Sequence, residues 1–143
     1  MTIANDGRHV LIGGAGGVLC TGSYDERGGL VLGERIDIKD AYDGLADIRS
    51  IVATEDGCVL VGGLHGTFYM GSYNDRDELV LGERIEIKDA DESWAYIFSV
   101  VATEDGRVLV GGLDGTFYTG FYSNLKTLKQ RLPEIVEKGK SGN

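Results

Sequence analysis

The sequence predicts an all-β protein built from repeated antiparallel sheets. Three observations carry that prediction. One 14-residue stretch occurs three times: HVLIGGAGGVLCTG from His9, CVLVGGLHGTFYMG from Cys58 and RVLVGGLDGTFYTG from Arg107, each starting 49 residues after the last. The flanking segments alternate apolar and polar residues, the period of a strand with one wet face. Asp-Gly pairs punctuate the alternation at Asp6-Gly7, Asp56-Gly57 and Asp105-Gly106. A repeat of 20–50 residues is read as a repeat architecture first.

Each element follows in order. The repeated stretch places a short apolar strand, as in Val108-Leu109-Val110, before glycines and a second strand with Phe117-Tyr118. That is a hairpin pattern, with glycine at turn positions that need positive φ. Gly13-Gly14 and their repeats are read as positions of tight packing between units. Another strand precedes each Asp-Gly turn, IRSIVAT from Ile48 and IFSVVAT from Ile97. A fourth strand is predicted from LVLGERIDIKDA (Leu30–Ala41) and LVLGERIEIKDA (Leu79–Ala90), with Leu79, Leu81, Ile85 and Ile87 on one face. A unit is therefore four strands. Unit one spans Thr2–Ala41, unit two Ile48–Ala90 and unit three Ile97–Tyr122, linked by loops Tyr42–Asp47 and Asp91–Tyr96. Unit three lacks its fourth strand. In its place stands SNLKTLKQRLPEIVEKGKSGN, whose Leu125, Leu128 and Leu132 fall at helical spacing. The expected organisation is a three-repeat domain over residues 1–122 and a C-terminal amphipathic helix and tail over 123–143.

The phrase DGRVLVGGLDGTFYTG resembles a blade of a β-propeller. It is similar to the pyrroloquinoline-quinone-type repeat and to the propeller repeats of two-component regulators. The wider unit resembles the tachylectin type of propeller at Trp94, Phe98, Asp105, Gly106, Gly115, Tyr118 and Gly120. The resemblance implies radially arranged sheets. In the lectin family it also implies sugar sites between blades, each served by an aromatic-bearing loop. Only the second loop carries Trp94; Leu45 takes its place in the first. The alternative with three four-stranded units is a β-trefoil. Consecutive hairpins with long links only between units favour blades. A propeller takes four to eight blades to close, so the expected partner is a second copy, a homodimer completing a six-bladed ring.

Composition narrows the function. The net charge is −9, and residues 1–122 hold 9 basic against 21 acidic residues. An acidic body opposes phosphate-backbone binding, so no nucleic-acid partner is expected. No apolar run of membrane-spanning length occurs, and Met1–Asp6 lacks a basic and apolar leader pattern, so no membrane partner and a cytoplasmic location are expected. Cys20 and Cys58 sit at different repeat positions and read as incidental thiols.

No catalytic constellation emerges. His9 and His65 have no metal-ligand spacing, and His65 reads as a solvated turn residue. Asn74, Asp75, Asp77 and Glu78 could offer oxygens to a cation, but the turn lacks the glycine and distant glutamate of a calcium loop. No metal and no cofactor are expected. Glu34-Arg35 and Glu83-Arg84 read as structural ion pairs, and Lys39-Asp40 and Lys88-Asp89 as turn-shaping residues. The two loops differ most between units, and function concentrates in such loops. The candidate ligand-binding residues are therefore Trp94, Asp91, Glu92, Tyr96, Tyr42 and Asp43. The expected function is a non-catalytic binding scaffold for protein or carbohydrate. The alternatives are a lectin-like propeller or a hydrolytic enzyme with an acidic site at the ring mouth.

Overall fold

The computed structural model describes residues 1–89, 91–113 and 117–121. Among these residues, eleven strands form three separate antiparallel sheets. The first contains β1 (Thr2–Asn5), β2 (His9–Gly13), β3 (Val18–Tyr24) and β4 (Leu30–Asp37). The second contains β5 (Ile48–Ala53), β6 (Cys58–Gly63), β7 (Phe68–Tyr73) and β8 (Leu79–Leu81). The third contains β9 (Ile97–Ala102), β10 (Arg107–Gly112) and β11 (Phe117–Phe121). Each sheet is a meander whose strands pair in chain order, and no described strand of one unit pairs with a strand of another. A trefoil would mix strands of all three units in one barrel, so that alternative is excluded. The expected helix over 123–143 lies outside the described residues, which contain no α-helix.

The turns follow from local chemistry. Gly57 and Gly106 both take φ of 87°, where a Cβ would be strained. Their amides donate to the carbonyls of Thr54 and Thr103. In the β7–β8 turn, the Asn74 side chain accepts from the amides of Arg76 and Glu78. The fourth strand of unit two departs from expectation. β8 stops at Leu81, although Gly82 and Ile85 still donate to Met70 and Phe68 of β7. The ladder breaks around Arg84, whose guanidinium lies 4.6 Å from the centre of the Trp94 ring.

Two apolar cores hold the sheets together. One joins Leu11 and Leu19 of the first sheet to Ile48, Ile51, Val59 and Val61 of the second. The other joins Leu60, Phe68 and Met70 of the second to Ile97, Val100, Val108, Val110 and Tyr118 of the third. Period-two alternation thus gives the middle sheet two buried faces, and β6 is buried throughout. Two equivalent glycines allow the close approach. A Cβ on Gly13 would lie 3.1 Å from side-chain atoms of Ile48 and Ile51. A Cβ on Gly62 would lie 2.7 and 2.8 Å from Ile97 and Val100. Inter-sheet packing is the role expected of these repeated glycines. Backbone bonds across the seams add to it, from Ile48 to Gly14, from Ala41 to His65 and from Gly66 to Ala95.

Candidate functional site

The loops after β4 and after β8 fold alike. Asp40 and Asp89 each accept two backbone amides, from Tyr42 and Gly44 and from Asp91 and Ser93. Asp43 and Glu92 take left-handed φ of 63° and 62° at matching places. Lys39 bridges to Leu45 and Lys88 to Trp94, so both lysines shape these turns as expected. Each loop crosses a seam between sheets and meets the β6–β7 turn at His65 and Gly66.

His65 is not the solvated residue its turn position suggests. It is half-buried at φ 56°, with ring contacts to both loops. Its centroid lies 5.7 Å from Tyr42 and 4.8 Å from Tyr96, both edge-on. Tyr42 and Tyr96 are exposed. The result is a row of three aromatic rings across the rim of the second sheet. Edge-to-face contacts of this kind hold rings in fixed orientation.

Trp94 sits beside this row, half-buried over Gly66, where an added Cβ would come within 3.0 Å of the indole. Arg84 and Lys88 both lie 4.6 Å from its ring centre. Arg84 sets its charge against the indole and donates to the Gly66 carbonyl at 3.4 Å. The Tyr69 hydroxyl donates to Lys39 O at 2.6 Å. Burial pushes its pKa up, against the opposing pull of Arg84. The structure therefore gathers Tyr42, Tyr96 and Trp94 and adds His65, Arg84 and Lys88. Asp91, Asp43 and Glu92 lie exposed on the turns beside them.

A second cluster was not foreseen. Buried His9, at the start of β2, has Nδ1 3.0 Å from Asp6 Oδ2 and Nε2 2.9 Å from Asp77 Oδ1. Its ring stacks on Tyr73 with centroids 3.8 Å apart. Burial works to raise the Asp6 pKa, but the amides of His9 and Arg8 and the His9 ring outweigh it and hold the carboxyl below its ordinary value. Asp77, at φ 64° where unit one has Gly28, turns toward the first sheet from the β7–β8 turn. The cluster fastens two sheets along a cleft of about 180 Å³ lined in part by Leu32, Ile36, Tyr73 and Leu79. Both imidazole nitrogens are engaged, which leaves no lone pair aimed at a substrate. The available signal was departure from the repeat: His9 stands where units two and three have Cys58 and Arg107.

The Tyr73 hydroxyl is buried and has no hydrogen-bond partner among the described residues. Burial, then the Asp6 and Asp77 carboxylates, push its pKa up to about 12 from 10.0. The fold therefore favours the neutral phenol, so stability falls as pH rises from 10 toward 12. Tyr73→Phe is expected to raise stability by about 1 kcal/mol at neutral pH by removing an unpaired polar group. It should also flatten the alkaline loss. Urea unfolding at neutral pH and again well above the ordinary tyrosine pKa reads both effects; a destabilised Phe variant would reveal a bond that the hydroxyl makes.

No protein-family model matches the chain, and no curated protein matches it. Among solved structures, it is similar to the periplasmic gluconolactonase PpgL of Pseudomonas aeruginosa. The TM-score is 0.63 at 13% identity, over 99% of this chain and 45% of that one. The fold is of the β-propeller kind. At that identity the likeness concerns the fold alone, and the chain spans less than half the length of its propeller neighbour.

Proposed function

We propose that the chain is a non-catalytic binding scaffold, a block of propeller blades assembled from more than one chain. It presents the row Tyr42–His65–Tyr96 as a ligand platform. The observation that carries this reading is the row itself: two exposed tyrosines from different loops, held edge-on to one histidine at a left-handed turn position. Exposed rings with carboxylates beside them suit carbohydrate or peptide ligands, which offer flat apolar faces and polar edges. Trp94 supports the platform from beside it and is itself contacted by Arg84 and Lys88. Assembly with a second copy is supported by the third sheet, which has three strands among the described residues and whose Leu109 and Phe117 are exposed.

A glycan array and an immobilised peptide library test the platform. Hits are expected to weaken about tenfold in Tyr96→Ala and in Tyr42→Ala, the loss of one stacking contact. Binding that survives both changes in folded protein would move the site elsewhere.

Hydrolysis is the second reading, favoured by the likeness to a gluconolactonase. The engagement of His9 at both nitrogens weighs against it among the described residues. A lactone-hydrolysis screen that responds while both arrays stay silent would reverse the order.

A further inference from the structure

We infer that the open face of the third sheet is the docking surface for the first sheet of a second copy, and that two such junctions close the ring. The inference rests on the multi-chain reading and names the faces that meet. Leu11 and Leu60 are 0% exposed against the following sheet, whereas Leu109, at the same place in the third sheet, is 41% exposed. Leu19 and Phe68 are 0% and 1% exposed, whereas Phe117 is 44% exposed.

The glycines give the same message independently. Gly13, Gly62 and Gly111 each lie opposite one of these residues, Leu19, Phe68 and Phe117. Gly13 makes room for Ile48 and Ile51, and Gly62 for Ile97 and Val100, all from the following sheet. At Gly111 the nearest described atom to an added Cβ is Ser99 Cβ of its own sheet, 3.7 Å away. The third sheet thus keeps a clearance that no following sheet fills among the described residues.

The other end of the chain carries the complementary surface. Ile51 pairs with Val61, Val100 with Val110 and Ile3 with Ile12, so the three are structural equivalents. Ile51 and Val100 are 7% and 4% exposed because each inserts against the preceding sheet, and Ile3 is 58% exposed. Ile12 and Cys20 lie on the same face as Ile3, opposite one another in β2 and β3. Sheet three therefore offers what sheets one and two offer forward, and sheet one offers what sheets two and three offer backward. A contact between two different faces must close on itself or grow into a filament. Two copies, each giving both faces, make a closed set.

Gly111→Val tests the assignment. Nothing among the described residues blocks the new side chain within a single chain, and valine suits a strand. The expected result is an unchanged circular-dichroism spectrum and cooperative melting, with the sedimenting mass falling from two chains to one. A cross-link gives a readout that does not depend on dissociation. Phe117→Cys is expected to join to native Cys20 of the second copy through a short bismaleimide, and adding Cys20→Ser should abolish the product. A wild type that sediments as one chain overturns both this assignment and the multi-chain reading. A wild type of two chains that resists Gly111→Val, and whose Phe117→Cys variant gives no product through Cys20, overturns the faces and leaves the multi-chain reading standing.

Discussion

Gly62→Val is expected to destabilise the protein by about 3 kcal/mol or more. The new Cβ alone would come 2.7 Å from Ile97 Cγ2 and 2.8 Å from Val100 Cγ2, and both of these side chains are buried. Overpacking a close-packed core forces neighbours off their rotamers or moves the backbone. Here the displaced element would be the third sheet, since Ile97 and Val100 belong to β9. Denaturant unfolding would show a lower midpoint at unchanged slope if the sheets stay docked. A fall in the slope as well would indicate that the third sheet has come loose. A variant as stable as wild type would mean that the seam between the second and third sheets is not packed as described.

The second large effect is expected from Phe68→Ala, at about 3–5 kcal/mol, the usual cost of emptying a buried aromatic site. Phe68 stands opposite Gly62 and shares its core with Ile85, Ile87, Ala95, Ile97 and Tyr118. The equivalent change one unit later makes the contrast. Phe117→Ala, measured at chain concentrations low enough to separate the copies, should change stability by no more than about 0.5 kcal/mol, as exposed substitutions do. Comparable losses at the two positions would show that Phe117 is covered within its own chain.

Much of the fold was legible in the residues themselves. The repeat starting at His9, Cys58 and Arg107 set three like units, and alternation with Asp-Gly turns set four strands in each complete one. The glycines at 13 and 62 were read as packing positions, and they are. The early end of β8 was not legible. Unit two has the same LVLGERI as unit one, yet its strand ends at Leu81, and its Arg84 lies over the ring of Trp94, where unit one has Leu45.

The residues of the candidate site were legible in part. Tyr42, Tyr96 and Trp94 stood out because their loops diverge between units. His65 did not, because a histidine in a Gly-rich turn reads as solvated until two tyrosines from the flanking loops close around it. Asp77 stands among other oxygen-bearing residues of the β7–β8 turn, while its partner His9 lies 68 residues away in another sheet. Spacing along a chain carries no signal for a contact across a seam.

Sedimentation equilibrium of the wild-type protein tests the central claim most directly, since among the described residues no sheet covers the outer faces of the first and third sheets. Closure by a second copy predicts a single species at twice the 15.4 kDa chain mass. A stable species at 15.4 kDa across micromolar concentrations would contradict it.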